Sequence, residues 1–344
     1  MSMRHLTLRL GPVSRRLALR DLGAGALLVL ILAVLLGVAL SSGDRAVPLD
    51  RVVQAFGPAA DPLDRMVVVE WRAPRALAAP LFGACLGVSG ALFQALTRNP
   101  LGSPDIIGLN TGAYTGVLAV IVLGGTGYTA FAAGAIGGGV LAAALVYGLA
   151  YSTGLQGFRL IIVGIAVSAF LSSINSWFAV KSSLDVAMRA AVWGAGTLNS
   201  VRWPQVVGAC VVAALLAIAL PWLTRRVHQL ELGEDAARVR GVRAEPAKAL
   251  VVLVGVALTS LVTAVTGPIA FIALAAPQIA RRLRRGAAGF DPLGSALVGA
   301  VLLSAADLIA QHALPGASVP VGVVTVCLGG LYLVWLLFRE KTRS

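Results

Sequence analysis

The sequence predicts an all-α polytopic membrane protein with about ten transmembrane helices. Its 344 residues are 58% hydrophobic and only 12% charged, and the mean hydropathy is +0.87. A soluble globular protein carries about twice that share of charged residues. The apolar residues also form blocks of about twenty, the length that a helix needs to cross the hydrocarbon core. These observations exclude a soluble enzyme, a fibre and a disordered chain.

Ten apolar blocks bounded by charged residues define the predicted spans. They cover residues 21–40, 73–96, 107–124, 128–151, 159–180, 203–223, 247–266, 268–283, 293–311 and 320–338. The first block follows five arginines and lacks a clean A-x-A cleavage site, so we interpret it as an uncleaved helix rather than a signal peptide. We expect residues 1–344 to form a single transmembrane domain.

The placement of basic residues predicts the orientation of the chain. With the N-terminus inside, 20 of the 28 lysines and arginines fall on the inner side and eight on the outer side. Because positive loops are retained on the cytoplasmic face, we expect both termini in the cytoplasm and residues 1–20 to be a cytoplasmic segment. This bias accounts for the net charge of +13, and no nucleic-acid partner is predicted.

The sequence lacks the residue patterns that disulfide frameworks, metal sites and ATP hydrolysis require. The three cysteines and three histidines stand far apart, which favours neither a disulfide framework nor a metal site. None of the three lysines follows a glycine, as a Walker A box requires, so the chain is not expected to hydrolyse ATP. Asp307 is the only carboxylate well inside a span, and we interpret it as a capping or helix-pairing group. We predict no catalytic residue, cofactor or metal.

Spacing alone indicates a polar stripe on the fifth span. Ser168, Ser172, Asn175 and Ser176 fall at i, i+4, i+7 and i+8 of an otherwise apolar helix. Polar groups that face lipid are unsatisfied, so the stripe faces another helix or an aqueous path. We expect it to line a path through the membrane, with hydrogen bonding between helices as the alternative.

The most informative motif lies at residues 72–113, RAPRALAAPLFGACLGVSGALFQALTRNPLGSPDIIGLNTGA. Arg72 and Arg75 mark the outer end of the second span, Gln94 is a lone amide in an apolar helix, and NPLGSP predicts a rigid inner turn. This pattern resembles the FecCD-type permease subunits of ABC importers for iron-siderophores, haem and cobalamin.

Three further motifs support the resemblance. They are LELGEDAARVRGV at 230–242, GPIAFIALAAPQIARRL at 267–283, and LVGAVLLSAADLIAQ with VPVGVVTVCLGG in the closing pair of helices. Together the motifs cover helices two to ten. The resemblance implies a type II ABC importer permease fold, with residues 1–344 as one permease domain and 230–242 as a cytoplasmic coupling helix.

The resemblance also implies partners and a location. Such permeases work in pairs in the bacterial cytoplasmic membrane, with two ATPase subunits and an extracytoplasmic substrate-binding protein. Gln311 stands where many members carry an outer arginine, and the loss of that charge favours a heterodimer over a homodimer of permeases. Gln278 replaces the family's usual histidine, so no protonation role is expected there.

The substrate implied by the resemblance is a ferric siderophore. The segments NPLGSPDIIGLNTGAYTG and VWGAGTLNS are most similar to catecholate, enterobactin-like permeases. Haem or cobalamin is the alternative within the same class of importer. An autonomous secondary transporter or channel is the alternative class, and a membrane scaffold or enzyme subunit is a third.

The family's functional positions map onto three groups of residues. For binding-protein docking they are Arg72 and Arg75, with interfacial snorkelling as the alternative. For ATPase coupling they are Leu230, Leu232, Gly233, Glu234, Ala237, Gly241 and Val242, with a solvated loop as the alternative. For the pathway and its inner gate they are Gln94, Asn99 and Leu101, opposed by Ser152 and Thr153, with ordinary turn residues as the alternative.

Overall fold

The computed structural model describes residues 5–10, 13–43, 45–58, 60–151, 156–284, 289–314 and 319–341. Ser152 and Thr153, two of the predicted gate residues, lie outside these ranges. Within them the chain is a helical bundle with one small hairpin of strands at its N-terminus.

The helices follow the predicted order of apolar blocks. The first seven are α1 (Leu19–Ser41), α2 (Leu49–Ala55), α3 (Pro62–Arg65), α4 (Ala73–Thr97), α5 (Leu109–Val122), α6 (Tyr128–Ala150) and α7 (Gly157–Lys181). The other seven are α8 (Leu184–Gly194), α9 (Trp203–Glu231), α10 (Glu234–Val239), α11 (Ala244–Thr266), α12 (Ile272–Leu283), α13 (Pro292–His312) and α14 (Val321–Lys341). A π-helical segment, Met66–Arg72, joins α3 to α4.

Ten of these helices match the ten predicted spans: α1, α4, α5, α6, α7, α9, α11, α12, α13 and α14. In the described ranges seven helical segments are long and apolar enough to cross a membrane by themselves, while α5 and the apolar part of α14 are shorter. The predicted all-α polytopic fold is therefore confirmed. We name the two ends of the bundle after the short helices that they carry, the α8 end and the α10 end.

The span predicted at 268–283 is shorter than expected. Helix α12 begins at Ile272 and has 12 residues, about 18 Å of helix against a hydrocarbon core of about 30 Å. Residues 267–271 are not helical, because Gly267 adopts φ 75° and Pro268 cannot donate a helical hydrogen bond. These non-helical residues separate α11 from α12 inside the bundle.

Two other boundaries differ from the prediction. Helix α9 continues to Glu231 rather than ending at residue 223, because the polar residues after 223 keep the helical pattern. The N-terminal segment forms an antiparallel pair, β1 (His5–Leu10) with β2 (Val13–Ala18), where no strand was expected. Alternating apolar and polar residues in HLTLRL have the period of two that favours a strand.

Helix α4 is the centre of the bundle and packs against α11, α12 and α13. Glycines allow the close approach: a methyl group at Gly83 would collide with the carbonyl of Gly299 on α13, and one at Gly90 with the carbonyl of Ala273 on α12. Small residues at such crossings are the usual means of tight packing between membrane helices. Gly83 and Gly90 therefore allow α4 to pack closely against α13 and α12.

Candidate coupling and translocation site

At the α8 end, Arg75 is held in a bidentate ion pair. Its Nη2 lies 2.8 Å from Asp307 Oδ1, and its Nε lies 3.0 Å from Asp307 Oδ2. Gln311 donates to the same carboxylate at 2.8 Å. The Arg75 side chain is 17% exposed and that of Asp307 is 3% exposed. Because the two parallel bonds fix both partners, this pair fastens α4 to α13 and confirms the helix-pairing interpretation of Asp307.

Arg72 is also engaged within the chain. It donates from Nη1 to the carbonyl of Leu40 at 3.0 Å and from Nη2 to the carbonyl of Arg45 at 2.5 Å. These contacts fasten the segment after α1 to the start of α4. The docking role of Arg72 and Arg75 stays a prediction, and any partner charge must approach two guanidinium groups that already have acceptors.

A cavity of about 280 Å³ opens at the same end of the bundle. Its polar lining comes from three arginines, Arg72, Arg75 and Arg202, together with Asn199 and Gln311. Guanidinium groups around one cavity favour an anion there, with the charge of Arg75 already balanced by Asp307. The sequence analysis did not select Arg202, which stands far from the R-x-P-R motif in the chain and directly precedes α9.

At the α10 end, residues 98–108 form a tight turn between α4 and α5. Arg98 ends α4 in the left-handed conformation, with φ 50°. Asn99 Oδ1 accepts a hydrogen bond from the Leu101 N–H at 2.9 Å, an Asx turn that leaves Leu101 48% exposed. Arg98 donates to the carbonyl of Leu230 at 2.8 Å. Through this hydrogen bond the turn contacts the end of α9 directly.

Gln94 and Gln278 connect this turn and α4 to α12. Gln94 is 2% exposed, donates to the carbonyl of Leu274 at 3.0 Å and accepts a hydrogen bond from Arg281. Gln278 donates to the carbonyl of Pro100 at 2.9 Å. Gln94 therefore joins two helices in this structure and does not face an open path, unlike the lining position expected for it. Gln278 has a structural contact at the position where the family usually has histidine.

Asp105 is the polar centre of the region around the helix break. Its Oδ1 accepts from Asn110 Nδ2 at 2.6 Å, and its Oδ2 accepts from the backbone N–H of Phe271 at 3.2 Å. Asn110 Oδ1 in turn accepts from Thr263 Oγ1 at 3.2 Å. One carboxylate thus joins the 98–108 turn, the start of α5 and the start of α12. Asp105 was not among the residues predicted from the sequence to be functional.

The polar stripe of α7 divides into two parts. Ser168 donates to the carbonyl of Gly164 at 2.7 Å, and Asn175 is 7% exposed with no hydrogen-bond partner for its Oδ1 among the described residues. Ser172 and Ser176 are exposed. At about 100° per residue these two lie about 40° and 80° around the helix from Ser168. The expected single stripe therefore has a more buried side, with Ser168 half-buried and Asn175 buried, and an exposed side with Ser172 and Ser176.

Residues 230–242, which we call the coupling segment, are not one helix. Leu230 belongs to the last turn of α9, Gly233 breaks the chain with φ 116°, and α10 covers only Glu234–Val239. Gly241, with φ 79°, lets the chain fold back so that the Val242 N–H donates to the carbonyl of Ala237 at 3.0 Å. The sequence predicts a short coupling helix within 230–242 that is ended by Gly233 and Gly241, and α10 lies between these two glycines, each of which has a positive φ.

The coupling segment has one buried face and one open face. Ala237 and Val242 are buried with Ala247 of α11, and Leu230 packs against them. On the open side, Leu232 is 60% exposed and Val239 is 90% exposed. Val239 was not among the predicted coupling residues, although its apolar side chain is almost fully exposed.

The family model for the FecCD transport family matches residues 29–339 of this chain. The chain belongs to the FecCD transport family. The match covers α1 from residue 29 onward, every helix from α2 to α13, and α14 up to residue 339, which agrees with the resemblance found in the motifs. In the described ranges, no group of three or more His, Cys, Asp or Glu residues is placed to hold a metal ion.

Curated relatives agree with this family over almost the whole chain. The ferric enterobactin transport system permease protein FepG of Escherichia coli (strain K12) is 46% identical over 96% of this chain and 99% of its own. The ferric enterobactin transport system permease protein FepD of the same strain is 33% identical over 93% of this chain and 95% of its own. The vitamin B12 import system permease protein BtuC of Yersinia enterocolitica is 36% identical over 81% of this chain and 83% of its own.

A solved structure has the same fold. The chain aligns with a metal-chelate type ABC transporter in an inward-facing conformation with a TM-score of 0.81 and 26% identity. The alignment covers 92% of this chain and 99% of the other. A FecCD-family chain with this fold is a multi-span membrane protein of a transport system.

Proposed function

We propose that this chain is one of two permease subunits of a binding-protein-dependent ABC importer that carries a ferric siderophore of the catecholate type into the cell. The similarity to FepG at 46% identity supports the siderophore and its type. The similarity to two different permease proteins of one transport system, FepG and FepD, supports a heterodimer of permeases. Haem and cobalamin are the competing substrates, since BtuC is also similar.

The observation that carries the proposal is the open face of the coupling segment. A helix as short as α10 is not stable alone in water, and lipid has no place for its charged residues. Yet Leu232, two residues before it, and Val239, its last residue, are exposed, while Ala237 packs inward. Exposed apolar side chains on a fixed, charged loop fit a groove on a cytoplasmic ATPase subunit, which would supply the work of transport.

This role sets the orientation and the other partners. If the coupling segment meets a cytoplasmic ATPase, both termini lie in the cytoplasm of a bacterial cell and the α8 end faces outward. The cavity lined by Arg72, Arg75 and Arg202 then faces the extracytoplasmic substrate-binding protein, whose carboxylates the three guanidinium groups would attract. Ser172 and Ser176 on α7 would line the path between the two permeases.

Uptake in living cells tests the proposal. Cells that lack this gene receive the wild type, Val239→Glu or the matched control Val53→Glu, and the uptake of radiolabelled ferric siderophore is measured. Val53 is 73% exposed on α2, at the opposite end of the bundle from the coupling segment. We expect normal uptake with the wild type and Val53→Glu, and a loss of about tenfold or more with Val239→Glu, because a charge in an apolar interface costs at least 1.4 kcal/mol.

The outcomes separate the alternatives. Normal uptake by an expressed Val239→Glu variant would contradict the coupling role and favour an autonomous carrier. If deletion of the gene changes no siderophore uptake, haem and cobalamin uptake are measured in the same cells, and a defect there would correct the substrate but keep the class of importer.

A further inference from the structure

Lys248, in the second turn of α11, carries a nearly buried positive charge. Its side chain is 7% exposed, and its Nζ lies 2.6 Å from Glu234 Oε1 and 3.1 Å from Glu245 Oε1. Glu245 is on the same helix, three residues before Lys248. Glu234 is the first residue of α10. The ammonium group therefore bridges the coupling segment and α11.

The position of α10 depends on such contacts. Its six residues make fewer than two helical turns, and a left-handed glycine at each end separates it from α9 and from α11. On its inner face the apolar contact is small, since it consists of Ala237 against Ala247 and Val242. The pair of Glu234 with Lys248 is a charged contact between α10 and α11, and the burial of the Lys248 side chain makes it stronger than a pair in water.

From this pair, α11 runs through the middle of the bundle. Ser89 of α4 donates to the carbonyl of Gly255 at 2.8 Å and lies 2.9 Å from Thr259 Oγ1. Further along α11, Thr263 donates to Asn110 of α5, which donates in turn to Asp105 in the 98–108 turn. A shift of α11 along its axis therefore reaches both α4 and the 98–108 turn through hydrogen bonds.

We propose that Lys248 is a positioning residue that makes the coupling segment and α11 move as one body, so that a displacement of α10 by the ATPase subunits passes along α11 to the 98–108 turn. This inference rests on the proposed function. Without the ammonium group, the carboxylates of Glu234 and Glu245 repel each other, and α10 keeps only its small apolar contact with α11. ATP hydrolysis then displaces α10 without moving α11 by the same amount.

The test uses the complete importer in liposomes, with its partner permease, the ATPase subunits and the binding protein. Siderophore uptake and ATP hydrolysis are measured in the same sample and expressed as uptake per ATP hydrolysed. We expect Lys248→Met to lower this ratio about fivefold or more, and Lys248→Arg, which keeps the charge, to retain it. Lys181→Met, the same change at an exposed lysine at the α8 end, is the matched control and should leave the ratio unchanged.

A double-mutant cycle identifies the partner. If Lys248 acts through Glu234, the Glu234→Gln variant lowers the ratio, and the variant with both changes has a ratio no lower than Lys248→Met alone, because both changes remove one contact. Additive losses in the double variant would overturn the assignment of Glu234 as the partner through which Lys248 acts.

Each remaining outcome is decisive. A ratio for Lys248→Met within about twofold of the wild type overturns the inference and leaves the proposed function intact, even if the yield of folded protein falls. A Lys248→Arg ratio as low as that of Lys248→Met also overturns it, because the charge would then not matter. Failure of the wild-type complex to link uptake to ATP would instead overturn the proposed function.

Discussion

The carboxylate of Asp105 accepts a hydrogen bond from the backbone N–H of Phe271, 3.2 Å away, across 166 positions of the sequence. Phe271 precedes α12 with φ 71°, a conformation that residues with a side chain rarely adopt. Such a residue persists only when its surroundings hold it. The hydrogen bond to Asp105 stabilises this conformation of Phe271. It also connects the break between α11 and α12 to the 98–108 turn.

Removal of the Asp105 carboxylate should therefore loosen the helix break. We expect Asp105→Ala to lower the stability by about 1–3 kcal/mol, because the N–H of Phe271 and the amide of Asn110 lose their acceptor inside the bundle. Siderophore uptake should fall with it. Thermal unfolding in detergent and uptake by complemented cells measure the two effects. The Asp105→Asn variant, which keeps one acceptor oxygen, should lose less stability and less uptake. Equal losses in both variants would contradict the role of the hydrogen bond from Phe271 to Asp105.

The ion pair of Arg75 with Asp307 should stabilise the α8 end. We expect Asp307→Ala to cost about 3 kcal/mol, because it leaves a largely buried guanidinium group without its carboxylate. Replacement of both partners by leucine should cost less than either single change, since no unpaired charge is left behind. Thermal unfolding of the purified protein provides the comparison. A double variant as unstable as the sum of the two single variants would show that the pair does not couple α4 to α13.

Close packing of α4 against α12 should make Gly90 intolerant of a side chain. A methyl group there would collide with the carbonyl of Ala273, so we expect Gly90→Ala to reduce the yield of folded protein severalfold. Gly137 on α6 has open space around the same position, and Gly137→Ala should be neutral or stabilise by up to about 1 kcal/mol. Size-exclusion profiles of the two variants in detergent give the result. Equal yields would mean that the crossing of α4 and α12 adapts more easily than its geometry indicates.

The cavity with three arginines should affect the rate at which the binding protein docks. Arg202 is exposed and lines the cavity, so Arg202→Glu should slow association several-fold at low salt, with a smaller effect at high salt. Arg65→Glu changes an exposed arginine of α3 that does not line the cavity, and should leave the rate nearly unchanged. Surface plasmon resonance with the permease pair in nanodiscs measures both. An equal effect of the two variants would mean that general charge, and not the cavity, attracts the binding protein.

Hydrophobic blocks and glycine spacing predict most of the bundle. A membrane helix needs a long run of apolar residues, so all ten helices are evident from composition, and the glycines of α4 indicate its close contacts. The exact bounds of the helices are harder to predict from the sequence. The break before Ile272 depends on Gly267 and Pro268 inside an apolar run, and the end of α9 lies in polar sequence that is compatible with either a helix or a loop.

The site is less predictable because its contacts are long-range. Arg75 and Asp307 were both selected, yet nothing in the sequence pairs residues 232 positions apart. Asp105 and Lys248 look like ordinary loop and helix-start residues, and only the fold brings them to Phe271 and Glu234. Val239 became notable through its exposure, which depends on the left-handed Gly241 that turns the chain back. Motifs therefore located the coupling segment, whereas the structure shows which of its side chains face inward.

Import driven by separate ATPase subunits is tested most directly by uptake of a ferric siderophore into proteoliposomes that contain this chain, its partner permease, the binding protein and, in one set only, the ATPase subunits. We expect accumulation only in the set with the ATPase subunits and only when ATP is supplied on their side of the membrane. Accumulation driven by an ion gradient in the set without ATPase subunits would contradict this expectation and show an autonomous carrier.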